Sequence, residues 1–363
     1  MILWQYLRKW VSRTFNILIH LATVIVFSLF DLLDALLCPI FIFLDKVMHC
    51  DADTGCRKEA AWWSDCSCHQ CATWMKNDRK LHAVLKAPHH SAKSSQDVIF
   101  LHGFLGSSSF WTQSIFPHLS LPDCTLHAVD LLGFGQSPKP YACDYTVEDH
   151  VNAVKVSVID AHALTSFHIV AHSMGCIIAV ALAEKFPGRV QSVTLVAPPL
   201  FSCSEIDVIK KIAKKRLWPP LLFGIAFMSW YKHLGRCVCL LFCKNHRVWE
   251  RILKLLVRRR EHHFRLEDMP RHTHHSAWHS MHNVVCLGQR FVGNCLRTLA
   301  KNKVKVCVMH GRDDELVPIE CVEYVGEMVP HGIVFLIDNA RHDTVILGRE
   351  RDFASDLMSV LEI

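Results

Sequence analysis

This 363-residue sequence lacks the features that mark several classes of protein. It has no basic stripe interleaved with aromatic residues, and its net charge of +6 is modest, so nucleic acid is not expected as a partner. No internal repeat is apparent, so a repeat architecture is not indicated. Apolar side chains are not scarce: 51% of the residues are hydrophobic, which supports a large core and excludes global disorder. The small positive charge fits attraction to acidic surfaces such as anionic lipid or pectin-like polymers.

Cysteine, by contrast, is abundant, and its count of 17 is odd. The cysteines crowd between Cys38 and Cys71 and again between Cys237 and Cys243. This usage fits an oxidising compartment in which some cysteines form disulfides. Reduced or lipidated thiols stay open as alternatives, because the pairing of cysteines cannot be read from their spacing.

The N-terminal residues address the compartment more directly. Basic residues precede a mainly apolar run from Phe15 to Phe30, and a second apolar stretch covers Ala35 to Leu44. A basic start followed by such a run is typical of a secretory signal or signal-anchor. A buried amphipathic helix is the alternative, but the run shows no polar face. We expect entry into the secretory pathway, with cleavage left open. Cys38 and Cys50 flank the leader, where a thiol can be acylated.

From Asp97 onward, short β-branched runs alternate with glycine-containing turns and helical stretches, which predicts an α/β fold with a mostly parallel sheet and helices on both faces. The predicted strands are Val98–Leu101, Thr125–Val129, Phe167–Ala171, Val190–Val196, Val304–Met309 and Ile333–Ile337. A Pro-Gly pair ends the helix predicted from Met174 to Phe186. The segment 200–301 differs, with apolar helical stretches and basic clusters, and we expect it to form a helical lid.

The residues around Ser173 have the pattern of a nucleophile elbow. The run Ala-His-Ser-Met-Gly lies between a predicted strand and a predicted helix. An exposed nucleophile at this place needs a sharp, strained turn with small neighbours two residues away. Gly175 fits the G-x-S-x-G pattern, whereas Ala171 replaces its first glycine at the cost of one methyl group. The segment therefore makes Ser173 the candidate nucleophile.

An upstream loop, His-Gly-Phe-Leu-Gly, follows the first predicted strand where an oxyanion-hole loop should be. The backbone N–H groups of Phe104 and Met174 are expected to bind the developing oxyanion. Gly103 lets the backbone approach the substrate closely. We expect the side chain of His102 to brace the loop by hydrogen bonding rather than to transfer protons.

Two further loops supply an acid and a base. After the fifth predicted strand, the spacing Gly-x-x-Asp-x-x-Val-Pro favours Asp314 as the triad acid, with Asp313 as the competing residue. After the sixth strand, His342 lies on a loop. The order Ser173, Asp314, His342 is the one that the α/β-hydrolase fold dictates. The mechanism expected is a two-step acyl transfer that needs neither a metal nor an organic cofactor.

The resulting domain organisation has five parts. They are a signal or membrane-anchor leader (1–50), a cysteine-rich segment (51–96), the first part of the hydrolase core (97–199), the helical lid (200–301) and the second part of the core (302–363).

Four motifs together resemble the BODYGUARD family of plant epidermal hydrolases. They are His102–Ser108, Ala171–Cys176, Val196–Pro199 and Met309–Glu315. The match runs from about Val98 to the C-terminus, and the leader with its cysteine-rich stretch is also similar. The resemblance implies a lysophospholipase-like enzyme of the outer cell wall and plasma membrane that acts in cuticle formation, with a signal segment and a lipid-modified cysteine, for which Cys50 is the candidate.

The function expected is hydrolysis of acyl esters of lipids, either lysophospholipids, monoacylglycerols or cutin-type hydroxy-fatty-acyl esters, at a membrane or cell-wall surface. A non-catalytic, receptor-like protein of the cell surface with the same fold remains the alternative, because an intact triad shows competence and not use. An epoxide hydrolase would need a carboxylate at position 173, and Ser173 argues against it. The oligomeric state is left open.

Lesser signals include two sets of metal-ligand residue types. Cys56, Cys66, Cys68 and Cys71 could bind zinc, but disulfides are favoured in a secreted chain. Seven histidines of the predicted lid show no tight spacing with an acid or cysteine, so a solvated, pH-sensitive surface is favoured over zinc; they are His262, His263, His272, His274, His275, His279 and His282. The Gly133-Phe-Gly135 turn lacks the Walker spacing of a phosphate loop and is interpreted as structural.

Overall fold

Seven short apolar runs pair into one sheet in the computed structural model of the chain, which describes residues 2–49, 63–76, 80–88, 96–121, 123–201, 231–256 and 263–361. The strands are β1 (Ala83–Lys86), β2 (Gln96–Leu101), β3 (Cys124–Val129), β4 (Phe167–His172), β5 (Val190–Val196), β6 (Lys305–Gly311) and β7 (Ile333–Ile337). Their order across the sheet is β1-β3-β2-β4-β5-β6-β7. Every neighbouring pair is parallel except β1 and β3, which are antiparallel. The mostly parallel α/β fold expected from the sequence is confirmed.

The central strand β4 is buried along its whole length, and its neighbours are buried over most of theirs. All six residues of β4 are buried, which fits a strand covered by helices on both faces. The register pairs Leu101 with Ala171 and Val196 with Met309, so the carboxyl ends of β2, β4, β5 and β6 lie at one edge. In open α/β sheets, ligands bind outside this edge.

Helices flank the sheet. They are α1 (Ile2–His49), α2 (His69–Lys76), α3 (Ser109–Ser114), α4 (Val147–Val154), α5 (Met174–Lys185), α6 (Lys232–Leu241), α7 (His246–Leu256), α8 (His263–Asp268), α9 (His274–Ser280), α10 (Gln289–Lys301), α11 (Glu320–Met328) and α12 (Glu350–Leu361). On one face, α4, α5 and α10 bury a large apolar cluster against the strands. On the other face, α3 and α12 bury a second cluster that includes Trp111 and Phe353. Each fully buried aliphatic or aromatic side chain contributes roughly 1.5–3 kcal/mol.

The segment between β5 and β6 contributes five of these helices. Helices α6 and α9 contact each other, as do α8 and α3, whereas α10 packs against α5. Residues 202–230 lie outside the described residues, and they include all but the last residue of the apolar stretch Leu221–Tyr231, which belongs to the predicted lid. The boundaries of the lid therefore stay a prediction.

The N-terminal helix α1 is long and largely exposed. Its segment Val24–Met48 has 25 residues with a mean hydropathy of 2.2, which is long and apolar enough to cross a membrane. The helix also contacts α6: the carboxylate of Asp34 accepts hydrogen bonds from the N–H groups of His233 and Leu234. Further along, Asp45 forms a bidentate pair with Arg236 at 2.6 and 2.8 Å. An apolar helix at this position is compatible with a signal peptide or a membrane anchor.

Candidate active site

Ser173 occupies a strained turn between β4 and α5. Its backbone angles, φ 52° and ψ −122°, are unusual for a residue with a side chain. A Cβ on Gly175 would lie 2.7 Å from the carbonyl oxygen of His102, so only glycine permits the close approach of the two loops. Ala171, two residues before the serine, is fully buried. The turn therefore has the geometry expected of a nucleophile elbow.

The side chains of Ser173, His342 and Asp314 form one hydrogen-bonded chain. The Nε2 atom of His342 lies 2.9 Å from Oγ of Ser173, and its Nδ1 atom lies 2.8 Å from Oδ2 of Asp314. Because a carboxylate only accepts hydrogen bonds, Nδ1 carries the proton and donates a hydrogen bond to Asp314. The lone pair of Nε2 then accepts from the serine hydroxyl. The arrangement can withdraw a proton from Ser173 as its oxygen attacks.

Asp314 is held at the histidine by its own turn. Its Oδ1 atom accepts the N–H groups of Leu316 and Val317, both at 2.8 Å. Burial by itself raises the pKa of this carboxyl, but the hydrogen bond and charge of His342 and the Val317 N–H outweigh it, so the pKa lies below its ordinary value. Asp313 is exposed, and its N–H donates to the carbonyl of Ala340. Of the two competing aspartates, Asp314 is the one that contacts the histidine.

The upstream loop lies directly beside the candidate nucleophile. A Cβ on Gly103 would be 3.0 Å from Cβ of Ser173. Met174 is the first residue of α5, so its N–H has no partner within the helix. Phe104 follows Gly103 in this loop, and the assignment of its N–H and that of Met174 to an oxyanion hole stays a prediction from the sequence pattern.

The His102 side chain braces the same loop. Its Nδ1 lies 2.7 Å from the carbonyl oxygen of Gly103, and its Nε2 accepts the N–H of Leu131 at 2.9 Å. The Nδ1 atom therefore carries the proton. Burial lowers the pKa of His102, which keeps the imidazole neutral for these two bonds.

Sequence reasoning missed Asp130 as a supporting residue. Its buried carboxylate accepts the N–H groups of Ser108 and Gln136 and contacts Nδ1 of His82 at 3.1 Å. Burial by itself raises the pKa of this carboxyl, but the hydrogen bonds from His82, Gln136 and Ser108 outweigh it and lower the pKa to about 2. The sequence did contain a signal for this role, because Asp130 comes directly after a strand and just before the Gly133-Phe-Gly135 turn. The carboxylate joins that turn to the candidate oxyanion loop.

His172, which precedes Ser173 in the chain, and Asp343, which follows His342, lie 4.0 Å apart. Nε2 of His172 contacts the carbonyl oxygen of His342 at 3.3 Å, and its ring stacks on Phe110 at 4.9 Å. Burial, together with the nearby His342, lowers the pKa of His172 to about 4. Asp343 accepts a hydrogen bond at 2.5 Å from Arg265 on α8. This pair ties the histidine loop to the segment between β5 and β6.

Not every predicted site residue can be located. Cys50, the candidate for lipid attachment, and Cys56 lie outside the described residues. Of the seven histidines in the predicted lid, His262 also lies outside them, and the side chain of His263 is not described. The other five are less exposed than the solvated surface expected, since one is buried (His274) and four are half-buried; the four are His272, His275, His279 and His282.

Comparison with known proteins gives a family-level result. A model of the alpha/beta hydrolase fold matches residues 98–217. The Arabidopsis thaliana protein named Probable lysophospholipase BODYGUARD 4 is 43% identical over 96% of this chain and 98% of its own length. Probable lysophospholipase BODYGUARD 5 of the same plant is 48% identical over 82% of this chain and 70% of its own.

Among solved structures, an esterase from Exiguobacterium antarcticum is 19% identical, with a TM-score of 0.55 over 78% of this chain and 96% of that one. A carboxylesterase of Nitrososphaera gargenis gives the same TM-score at 15% identity, over 78% and 94% of the two chains. At these identities the likeness shows the fold.

Proposed function

Because this chain belongs to the BODYGUARD family of lysophospholipase-like α/β hydrolases, we propose that it cleaves acyl esters of lipids through an acyl-enzyme formed on Ser173. The observation that carries the proposal is the pair of hydrogen bonds at 2.9 and 2.8 Å that links Ser173 through His342 to Asp314. In acyl transfer, a serine acts as nucleophile, a neutral imidazole as its general base, and a carboxylate orients the imidazole.

In the first step, Oγ of Ser173 attacks the ester carbonyl while Nε2 of His342 takes the hydroxyl proton. Negative charge develops on the carbonyl oxygen, and the N–H groups of Phe104 and Met174 stabilise it. The C–O bond to the alcohol then breaks, and His342 returns the proton to the leaving alkoxide. Asp314 keeps Nδ1 protonated and stabilises the imidazolium between these transfers.

In the second step, water replaces the alcohol. His342 takes a proton from the water as its oxygen attacks the acyl-serine carbonyl. The same two N–H groups stabilise the second tetrahedral intermediate. Its collapse breaks the bond to Oγ, and the proton on His342 restores the serine hydroxyl. The products are a fatty acid and the free alcohol, and no metal or organic cofactor takes part.

The proposed substrates are lysophospholipids, monoacylglycerols or cutin-type hydroxy-fatty-acyl esters. The names of the two Arabidopsis relatives support an ester that bears one acyl chain. Burial of each methylene of an acyl chain is worth about 0.8 kcal/mol.

The proposed place of action is the cell wall and the outer face of the plasma membrane, in the formation of cuticle or wall lipid polymers. The apolar helix α1 supports delivery through the secretory pathway and contact with a membrane surface. Acylation of Cys50 would add a second membrane signal to this helix.

The experiment that tests the proposal is labelling of the purified chain with a fluorophosphonate, which reacts with activated serines, followed by a panel of lipid esters. Wild type should be labelled and should hydrolyse long-chain esters. Ser173→Ala should lose both properties, whereas Ser359→Ala on the exposed side of α12 should keep them. A wild-type chain that folds but neither labels nor hydrolyses any ester would identify a non-catalytic, receptor-like protein instead.

A further inference from the structure

Three cysteines and one histidine from distant parts of the chain meet outside the candidate active site. Cys66, Cys68 and Cys71 belong to the segment 63–76, and His246 is the first residue of α7. Their three sulfur atoms and one ring nitrogen all lie within 4.8 Å of one another. The sulfurs of Cys68 and Cys71 are each 3.5 Å from Nε2 of His246, across 178 and 175 positions of sequence. The fold thus gathers four soft donors around one point.

The distances fit a tetrahedral zinc ion. With Zn–S bonds of about 2.3 Å and Zn–N bonds of about 2.0 Å, tetrahedral geometry separates a sulfur and a nitrogen ligand by about 3.5 Å. Both measured separations are 3.5 Å. Three cysteines and one histidine are a usual ligand set of closed structural zinc sites, and Cys68 and Cys71 have the two-residue spacing common in them.

The histidine is oriented as a ligand. Its Nδ1 lies 2.9 Å from Oε1 of Glu250, one turn later on α7. Because the carboxylate accepts only, Nδ1 carries the proton and the lone pair of Nε2 faces the sulfurs. His246 is only 2% exposed, so this orientation is held by packing as well. A carboxylate behind the imidazole is the typical outer partner of a metal-bound histidine.

A disulfide explains the cluster less well, although disulfides were favoured from the sequence. All three cysteines are free thiols in the structure. A disulfide between any two of them would leave the third as a single thiol. It would also not explain why the Nε2 lone pair of His246 faces the sulfur atoms. A metal ion uses all four donors at once.

We propose that Cys66, Cys68, Cys71 and His246 bind one zinc ion in a closed, structural site. Binding releases the three thiol protons, and three thiolates with a neutral imidazole leave the site with a single net negative charge. The ion would join the cysteine-rich segment to α7, which is part of the segment between β5 and β6.

The proposed zinc site lies close to hydrogen bonds that connect three parts of the chain: α1, the segment 63–76 and the segment between β5 and β6. The indole N–H of Trp63 donates to Asp45 of α1 at 2.7 Å, and Lys244 donates to the carbonyl oxygen of Trp63 at 2.6 Å. Arg236 of α6 pairs with Asp45 and reaches Oγ of Ser64 at 3.3 Å. A short segment such as 63–76 buries little apolar surface, and zinc sites supply folding energy to segments of this kind.

A second donor set lies in the same region of the chain. Nε2 of His272 is 3.7 Å from the sulfur of Cys239 and 3.4 Å from that of Cys243, and its Nδ1 donates to the carbonyl oxygen of Met269 at 2.7 Å. Among the residues that the structure describes, this set has three donors, one fewer than the first. The zinc ion is therefore assigned to the four-donor set.

The first test measures the metal content of the full chain after expression in a eukaryotic secretory host and purification in detergent without chelator. Cys71→Ser and His246→Ala should each contain about one zinc equivalent less than wild type. Cys237→Ser changes a half-buried cysteine of α6 that belongs to neither set, and it should keep the wild-type content. Because each variant is compared with wild type, any metal bound by Cys239, Cys243 and His272 does not change the expected difference.

Glu250→Gln provides a milder variant that leaves all four donors in place. Loss of the carboxylate behind His246 should weaken zinc binding by roughly 10–100-fold in competition with a chromophoric chelator. Unchanged affinity in this variant would contradict the role given to Glu250, and unchanged zinc content in both ligand variants would overturn the site.

A measurement on wild type keeps the proposal testable if the ligand variants fail to fold. Cys66, Cys68 and Cys71 should resist alkylation in the native protein and become alkylated once a strong chelator is added, without reductant. Peptides from a non-reducing digest that contain a disulfide between any two of these cysteines, together with a wild-type protein free of zinc, would overturn the proposal.

Discussion

A Cβ on Gly311 would lie 2.2 Å from the carbonyl oxygen of Ala340, so the turn that carries Asp314 and the loop that carries His342 are in direct backbone contact. The N–H of Asp313 donates to the same carbonyl at 3.0 Å. The hydrogen bond between acid and base therefore depends on the absence of a side chain at position 311.

This contact gives the first prediction. Gly311→Ala should push the two loops apart, lower kcat strongly and destabilise the protein by about 1–3 kcal/mol, because the methyl group has no space. Gly326→Ala is the matched control: a Cβ on this glycine of α11 would meet no atom within 4 Å. It should leave kcat unchanged and raise stability slightly, since alanine favours a helix over glycine. Steady-state kinetics and thermal unfolding distinguish the two variants, and equal effects would contradict the argument.

A second prediction separates the two adjacent aspartates. Asp314→Asn should lower kcat by roughly 10⁴-fold, because an amide at this place favours the wrong tautomer of His342. Asp313→Asn should stay near wild type, because its exposed side chain does not contact the histidine. The measurement is hydrolysis of a p-nitrophenyl ester under saturating conditions. A larger loss in Asp313→Asn would mean that the proposed triad acid is wrong.

A third prediction concerns stability in acid. The pKa of Asp130 is about 2 in the folded protein, below the value of about 3.9 in an unfolded chain. Its ionised form therefore stabilises the fold above about pH 4, and this contribution, on the order of 2 kcal/mol, is lost as the pH falls towards 2. Asp130→Asn should be less stable than wild type at pH 7, and the difference should shrink by pH 2.5. Urea unfolding at the two pH values tests this, and a difference independent of pH would contradict it.

A fourth prediction concerns the acyl chain. With about 0.8 kcal/mol available for each buried methylene, kcat/KM should rise steeply from acetyl to dodecanoyl p-nitrophenyl esters, by up to about fourfold per methylene. The measurement needs substrate below its critical micelle concentration so that aggregation does not distort KM. A preference for acetyl esters would contradict the lipid substrate while leaving the proposed acyl-enzyme mechanism in place.

A fifth prediction concerns the leader. Cleavage after the leader would remove Asp45 from Arg236, whose side chain is largely buried. Loss of the partner of a buried charge costs several kcal/mol, so we expect the mature protein to retain α1. An epitope tag at the N-terminus and another at the C-terminus should therefore be found on one chain of full mass in the membrane fraction. A mature chain that carries only the C-terminal tag would contradict retention.

Local sequence patterns were sufficient for the sheet and for the elbow. Strands β5 and β7 begin and end at the residues predicted, because the turn residues on either side of a β-branched run mark where the strand starts and stops. Strand β1 was missed: three of its four residues are half-buried and Leu85 is exposed, so they show no distinctive apolar run. The segment around Ser173 was readable because the strand, the turn and the helix are consecutive in the chain.

Tertiary structure decided what depends on residues far apart in the sequence. The local spacing favoured Asp314 over Asp313 without excluding the latter. The folded chain decides between them: Oδ2 of Asp314 lies 2.8 Å from Nδ1 of His342, and the two loops meet where Gly311 approaches Ala340. Likewise, Cys68 and His246 are 178 positions apart, and no periodicity relates them. Their meeting depends on the path of the whole chain, because side chains from separate elements approach only when the core between those elements packs.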